Sequence, residues 1–101
     1  MNDVKTLKEA VEKLHNCKAV HCNSVRVKET FKGQVVWDGM VEVFNLTDSK
    51  PAKRCYAWQH TEDSADTRTR VVTVLEVPPV SSPETAVRAA IVERYKANKA
   101  N

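Results

Sequence analysis

Glycine occurs only twice in the 101 residues, so the chain has no glycine-rich loop whose backbone amides can close around a phosphate. No apolar run approaches the roughly 18 residues that span a bilayer, and no membrane partner is expected. The opening stretch Met1-Asn2-Asp3-Val4-Lys5-Thr6-Leu7-Lys8-Glu9 mixes charge with apolar residues where a secretory leader needs an apolar core. Cysteine is limited to Cys17, Cys22 and Cys55. That odd number, with no Cys-x-x-Cys spacing, argues against a disulfide framework and against a redox dithiol. Reduced thiols in a cytoplasmic protein are the expectation. The net charge of +3 is spread along the chain, so charge alone gives no reason to expect a polyanion partner.

What is present describes one globular α+β domain over residues 1–101. Its length suits a single core, and 42% hydrophobic with 29% charged residues separates it from disordered chains. Residues 3–15 read as an amphipathic helix. Val4, Leu7, Val11 and Leu14 form one stripe with Ala10 beside it, Asn2, Asp3 or the Thr6–Glu9 capping box starts it, and His15 and Asn16 suit its end. Four extended segments follow, over 19–31, 34–47, 53–61 and 67–77. In the first, His21, Asn23, Val25, Val27, Glu29 and Phe31 share one face by alternation. Lys32-Gly33 is a hairpin turn signal, and Gly39 in mid-strand suggests a bulge. Asp48-Ser49-Lys50-Pro51 is a second turn, and Glu62 to Asp66 is a polar, acidic loop. Pro78-Pro79 ends the strands, and Ser82 with Pro83 opens a helix over 82–98 whose stripe is Val87, Ile91 and Tyr95.

The order is α-β-β-β-β-α. Short connections imply an antiparallel meander, with the N-terminal and the C-terminal helix packed on one face. Two strands carry apolar residues on both sides, more than a one-faced sheet needs. A bulge that reorients them, or a homodimer that covers the second face, accounts for the surplus.

Sites for chemistry are sparse. His15, Cys17, His21 and Cys22 with Cys55 and His60 hold every thiol and imidazole of the chain, a zinc-type ligand set. Their spacing fits no zinc knuckle, however, and His21 and Cys22 point to opposite faces of a strand. Ser24, His21 and Asp38 can be drawn as a triad, but no nucleophile elbow accompanies them. Asp38 with Glu42, and Glu62 with Asp63 and Asp66, read as solvated carboxylates at strand edges and in a loop. No catalytic residue, metal or cofactor is therefore assigned, and the chain is read as a non-enzyme. Trp37, Phe44, Tyr56 and Trp58 are expected in the core. Their neighbours Lys53, Arg54 and Arg70 leave base stacking as the other use of such aromatics.

The element order resembles the double-stranded-RNA-binding domain, which runs helix, three antiparallel strands, helix. That family grips phosphates through lysines at the start of its second helix. The matching stretch here is Ser82-Pro83-Glu84-Thr85, which carries an acid instead, and Phe31-Lys32-Gly33-Gln34 does not match the loop motif between its first two strands. The leading expectation is therefore a protein-interaction or self-associating module that uses a sheet face, with a protein partner or a second copy. A nucleic-acid-binding module is the alternative. The interaction residues expected are Met40, Phe44, Lys53, Arg54, Tyr56, Trp58 and Arg70.

Overall fold

The computed structural model describes residues 2–61 and 69–99. Helix α1 (Val4–His15) starts where the Asp3 carboxylate accepts the backbone N–H groups of Lys5 and Thr6, at 3.1 and 3.3 Å. Those donors have no partner within the first helical turn. The helix stops at Asn16, whose left-handed φ of 51° turns the chain into strand β1 (Lys18–Phe31). Lys32 and Gly33, with φ of 52° and 78°, then form a two-residue loop of the kind that matches the right-handed twist of a hairpin. Strand β2 (Gln34–Thr47) returns antiparallel, from Phe31 opposite Gln34 to Lys18 opposite Thr47.

Strands β3 (Arg54–Thr61) and β4 (Thr69–Leu75) extend the meander, giving a sheet of order β1-β2-β3-β4. The expected acidic loop at Glu62 to Asp66, and the first residues of the expected fourth strand, lie outside the described residues. Helix α2 (Pro83–Lys99) opens on reciprocal caps. Ser82 Oγ accepts the Thr85 N–H at 3.2 Å, and Thr85 Oγ1 accepts the N–H groups of Ser81 and Ser82 at 2.9 Å each. The α+β class and the α-β-β-β-β-α order are as the sequence implies.

The placement of the helices is not. Leu7 and Val11 of α1 pack with Ala19, Phe44, Leu46, Cys55 and Ala57. Ala86 and Val87 of α2 pack with Val27, Val41, Val43, Tyr56 and Trp58. Cys55 and Ala57 alternate with Tyr56 and Trp58 along β3, and alternating residues point to opposite faces. One helix therefore covers each face of the sheet. The apolar surplus on β2 and β3 is the sign of this arrangement, since a strand buried on both sides has apolar residues in both registers. The topological likeness to the double-stranded-RNA-binding domain, with both helices on one face, thus ends at element order.

The expected bulge is also elsewhere. Gly39 pairs in register with Val27, and the extra residues are Cys22 on β1 and Val36 on β2. At Gly39 a Cβ would meet the Trp37 ring at 3.2 Å, so the missing side chain makes room for the indole. The bulge at Cys22 breaks the expected alternation of β1. Ala19 and His21 share the α1 side with Leu46 and Phe44, whereas Asn23, Val25 and Val27 share the α2 side with Val43 and Val41. Leu14 of the expected α1 stripe is exposed, and the Tyr95 side chain lies outside the described residues. No described helix is long and apolar enough to cross a membrane.

Two separate cores make a direct prediction. Leu7→Ala and Val87→Ala should each lower unfolding free energy by about 2–4 and 1–3 kcal/mol respectively. The two losses should add in the double variant, because the side chains lie on opposite faces and share no partner. Urea denaturation checks this, and strong non-additivity would contradict the two-sided packing.

Candidate functional site

The sheet is not uniformly paired. β2 joins β3 only from Glu42 opposite Ala57 to Asn45 opposite Arg54, whereas β1 and β2 stay paired to the hairpin turn and β3 and β4 stay paired to Thr61. Beyond Glu42 the two ribbons separate, as two-stranded ribbons twist more strongly than broad sheets. Among the described residues, Gln34 to Val41 of β2 pairs with β1 alone. The gap between the ribbons is a cavity of about 550 Å³, lined by Trp37, Gly39, Met40, Glu42, Trp58 and His60 among others. The two indoles meet edge to face, with ring centroids 5.5 Å apart.

Asn2, one residue before the α1 cap, reaches into this gap. Its Nδ2 donates to the Met40 carbonyl at 2.7 Å and to Glu42 Oε2 at 2.8 Å, and its Oδ1 accepts the Gln59 backbone N–H at 2.8 Å. The Asp3 N–H donates to Gln59 Oε1. The start of α1 is thereby fixed to both β2 and β3.

Glu42 is 3% exposed and is the one buried charged side chain among the described residues. An unpartnered carboxylate at that depth would be strongly destabilising. Besides Asn2, it accepts Ser24 Oγ, and His21 Nε2 lies 3.0 Å from Oε1. The His21 ring is itself set edge-on to Phe44 at 5.4 Å. Burial pushes the Glu42 carboxyl up, but the hydrogen bonds from Ser24, Asn2 and His21 together outweigh it and hold the group below its ordinary value.

This cluster corrects two expectations. Glu42 is not a solvated strand-edge acid, and Ser24 and His21 converge on it rather than on Asp38. Asp38 instead makes a two-point contact with Arg26, Nε to Oδ1 at 3.2 Å and Nη2 to Oδ2 at 3.1 Å. The Ser24 hydroxyl donates to a carboxylate of lowered basicity and makes no bond to the imidazole. The arrangement secures the start of α1, β1 and β2 to one another. Among the described residues, no group of three or more His, Cys, Asp or Glu side chains is placed to hold a metal ion.

The expected interaction residues do not form one surface. Phe44 is buried against α1, and Tyr56 and Trp58 are buried on the α2 side. These three aromatics are core, because adjacent β-strand positions were divided between two covered faces. The Tyr56 hydroxyl donates to Glu76, and burial followed by the neighbouring Glu76 carboxylate pushes it up to about 12. Lys53, Arg54 and Arg70 are exposed. Arg54 lies 3.9 Å from Glu76, and Arg70 pairs opposite His60, six residues or roughly 20 Å further along β3. Of the expected set, Met40 and Trp58 border the gap. Asn2 and Glu42 were not among the expected residues. The signal for Glu42 was its position within Val41-Glu42-Val43-Phe44, a single charge in an otherwise apolar run.

No protein-family model, curated protein or solved structure matches the chain.

Acid should reveal the buried carboxylate. Because Glu42 titrates lower in the folded chain than in the unfolded one, its contribution to stability is complete above about pH 5 and is lost as pH falls through the folded value. Urea midpoints measured from neutral pH downward should fall more steeply for the wild type than for Glu42→Gln. Thiol accessibility gives a second check. Cys22 is exposed, while Cys55 is buried and burial pushes its thiol up to about 12. A dithiobis-nitrobenzoate reagent should modify Cys22 in the folded protein and Cys55 only on unfolding.

Proposed function

We propose that this chain is a non-enzymatic protein-interaction module that takes an extended segment of another polypeptide onto β2. A sheet face is not available to a partner at the core, because α1 and α2 cover one each. The observation that carries the reading is the coincidence of an unpaired strand edge with exposed apolar side chains. Gln34 to Val41 has no described strand on its β3 side, and Phe31, Val35, Val36 and Met40 around it are 64%, 52%, 48% and 42% exposed.

Area favours an extended segment over a second copy. The four side chains together present roughly 400 Å², divided between the two faces of the hairpin, since Val35 pairs with Thr30 and Phe31 with Gln34. A stable dimer interface takes about 800 Å² from each partner. A strand laid along the edge adds main-chain hydrogen bonds to that modest apolar contact. Lys28 and Lys32 stand on the same hairpin, Arg26 there being paired with Asp38, so the segment that fits is apolar with acidic flanks.

Selection of a displayed random-peptide library on immobilised protein tests this. Wild type should enrich extended apolar sequences with acidic flanks, and Val36→Glu should not retain them. Sedimentation should show a monomer at low and high salt, and binding of labelled duplex RNA should vanish at physiological salt. A salt-resistant dimer would replace this reading by self-association, and RNA binding that survives physiological salt would replace it by nucleic-acid recognition.

A further inference from the structure

We propose that the gap between β2 and β3 is the seat of one strand-like segment, and that Asn2 occupies it in the free protein as a substitute for one of that segment's peptide groups. The inference rests on the strand-addition reading and locates it between two strands rather than along one.

A side-chain carboxamide has the N–C=O geometry and the donor and acceptor of a peptide unit. Asn2 directs these to different strands, its Nδ2 to the Met40 carbonyl of β2 and its Oδ1 to the Gln59 N–H of β3. A strand lying between β2 and β3 makes the same two bonds, one to each neighbour. The bonds are 2.7 and 2.8 Å long, so the two edges stand as far apart as one bridging peptide group requires. The remaining space of about 550 Å³ falls in the range of ligand-sized cavities, and Trp37, Met40 and Trp58 provide apolar walls.

The seat also specifies a residue. Displacing Asn2 removes its 2.8 Å bond to Glu42 Oε2, which leaves a buried carboxylate oxygen short of a donor. The incoming segment restores it with an asparagine, glutamine, serine or threonine at that position, flanked by apolar residues beside Met40 and Trp58. Asn2 is accordingly an intramolecular competitor, and removing it raises affinity for the segment.

The probe is an acetylated peptide amide of sequence Glu-Val-Asn-Val-Glu, titrated into isotope-labelled wild type, Asn2→Ala and Asn2→Ser while amide resonances are followed by NMR. The serine variant keeps a polar group too short to span both edges, and a dispersed spectrum verifies that each variant is folded. The expected result is binding about tenfold tighter in both variants than in wild type, with shifts centred on Met40, Val41, Trp58 and Gln59. Equal affinity in all three proteins, with shifts confined to the hairpin end around Phe31 to Val36, would overturn the seat while leaving strand addition standing. Absence of binding to all three would overturn both.

Discussion

Four consecutive residues of β2, Val41 to Phe44, are buried, and the rest of the fold follows from that constraint. Successive side chains of a strand point to opposite faces, so a buried run of this length requires cover on both sides of the sheet. α1 supplies it on one side through Leu7 and Val11 and α2 on the other through Ala86 and Val87. Because the helices stand at the two ends of the sequence, each core joins one terminal element to the central strands. The sheet is thus held by two small apolar layers, each built from a handful of side chains worth about 1.5–3 kcal/mol apiece on burial.

One member of the buried run is an acid. Glu42 sits where β2 last pairs with β3, and its carboxylate is satisfied from β1 by His21 and Ser24 and from the chain before α1 by Asn2. Removing any one donor leaves a buried lone pair in a low-dielectric setting, so the cluster acts as a unit that fixes where these segments meet. The point of divergence, the polar cluster and the start of α1 coincide. Past that point α2 still reaches Val27, Trp37 and, through Arg88, Glu29, but the tip of the hairpin and its α1-facing side extend beyond the helices. This is why Phe31, Val35, Val36 and Met40 remain exposed although they are as apolar as the residues of the core. The bulge at Val36, the charge at Asp38 and the Asn2 contact at Met40 all blunt an edge that would otherwise pair without selectivity.

Local chemistry was legible in the chain because it acts over a few residues. Asp3 and Ser82 cap helices, Lys32-Gly33 forms the hairpin loop, and the element order is as alternation and helical periodicity imply. Alternation alone misled at β1, because the extra residue at Cys22 moves everything beyond it relative to β2. Glu42 looked solvated because periodicity assigns a residue to a face without saying what covers that face.

By itself, then, the sequence determined an α+β domain, its turns and caps, and the surplus of apolar strand residues. Tertiary structure decided that a helix rather than a second copy covers the other face, that β2 and β3 part company at Glu42, and that Asn2 bridges them. Those features depend on contacts between residues far apart in the chain, among them Asn2 with Gln59, 57 positions apart, and His15 with Thr73, 58 apart. Such contacts form only after twist and bulges have oriented the strands, and no local pattern of residue types encodes them.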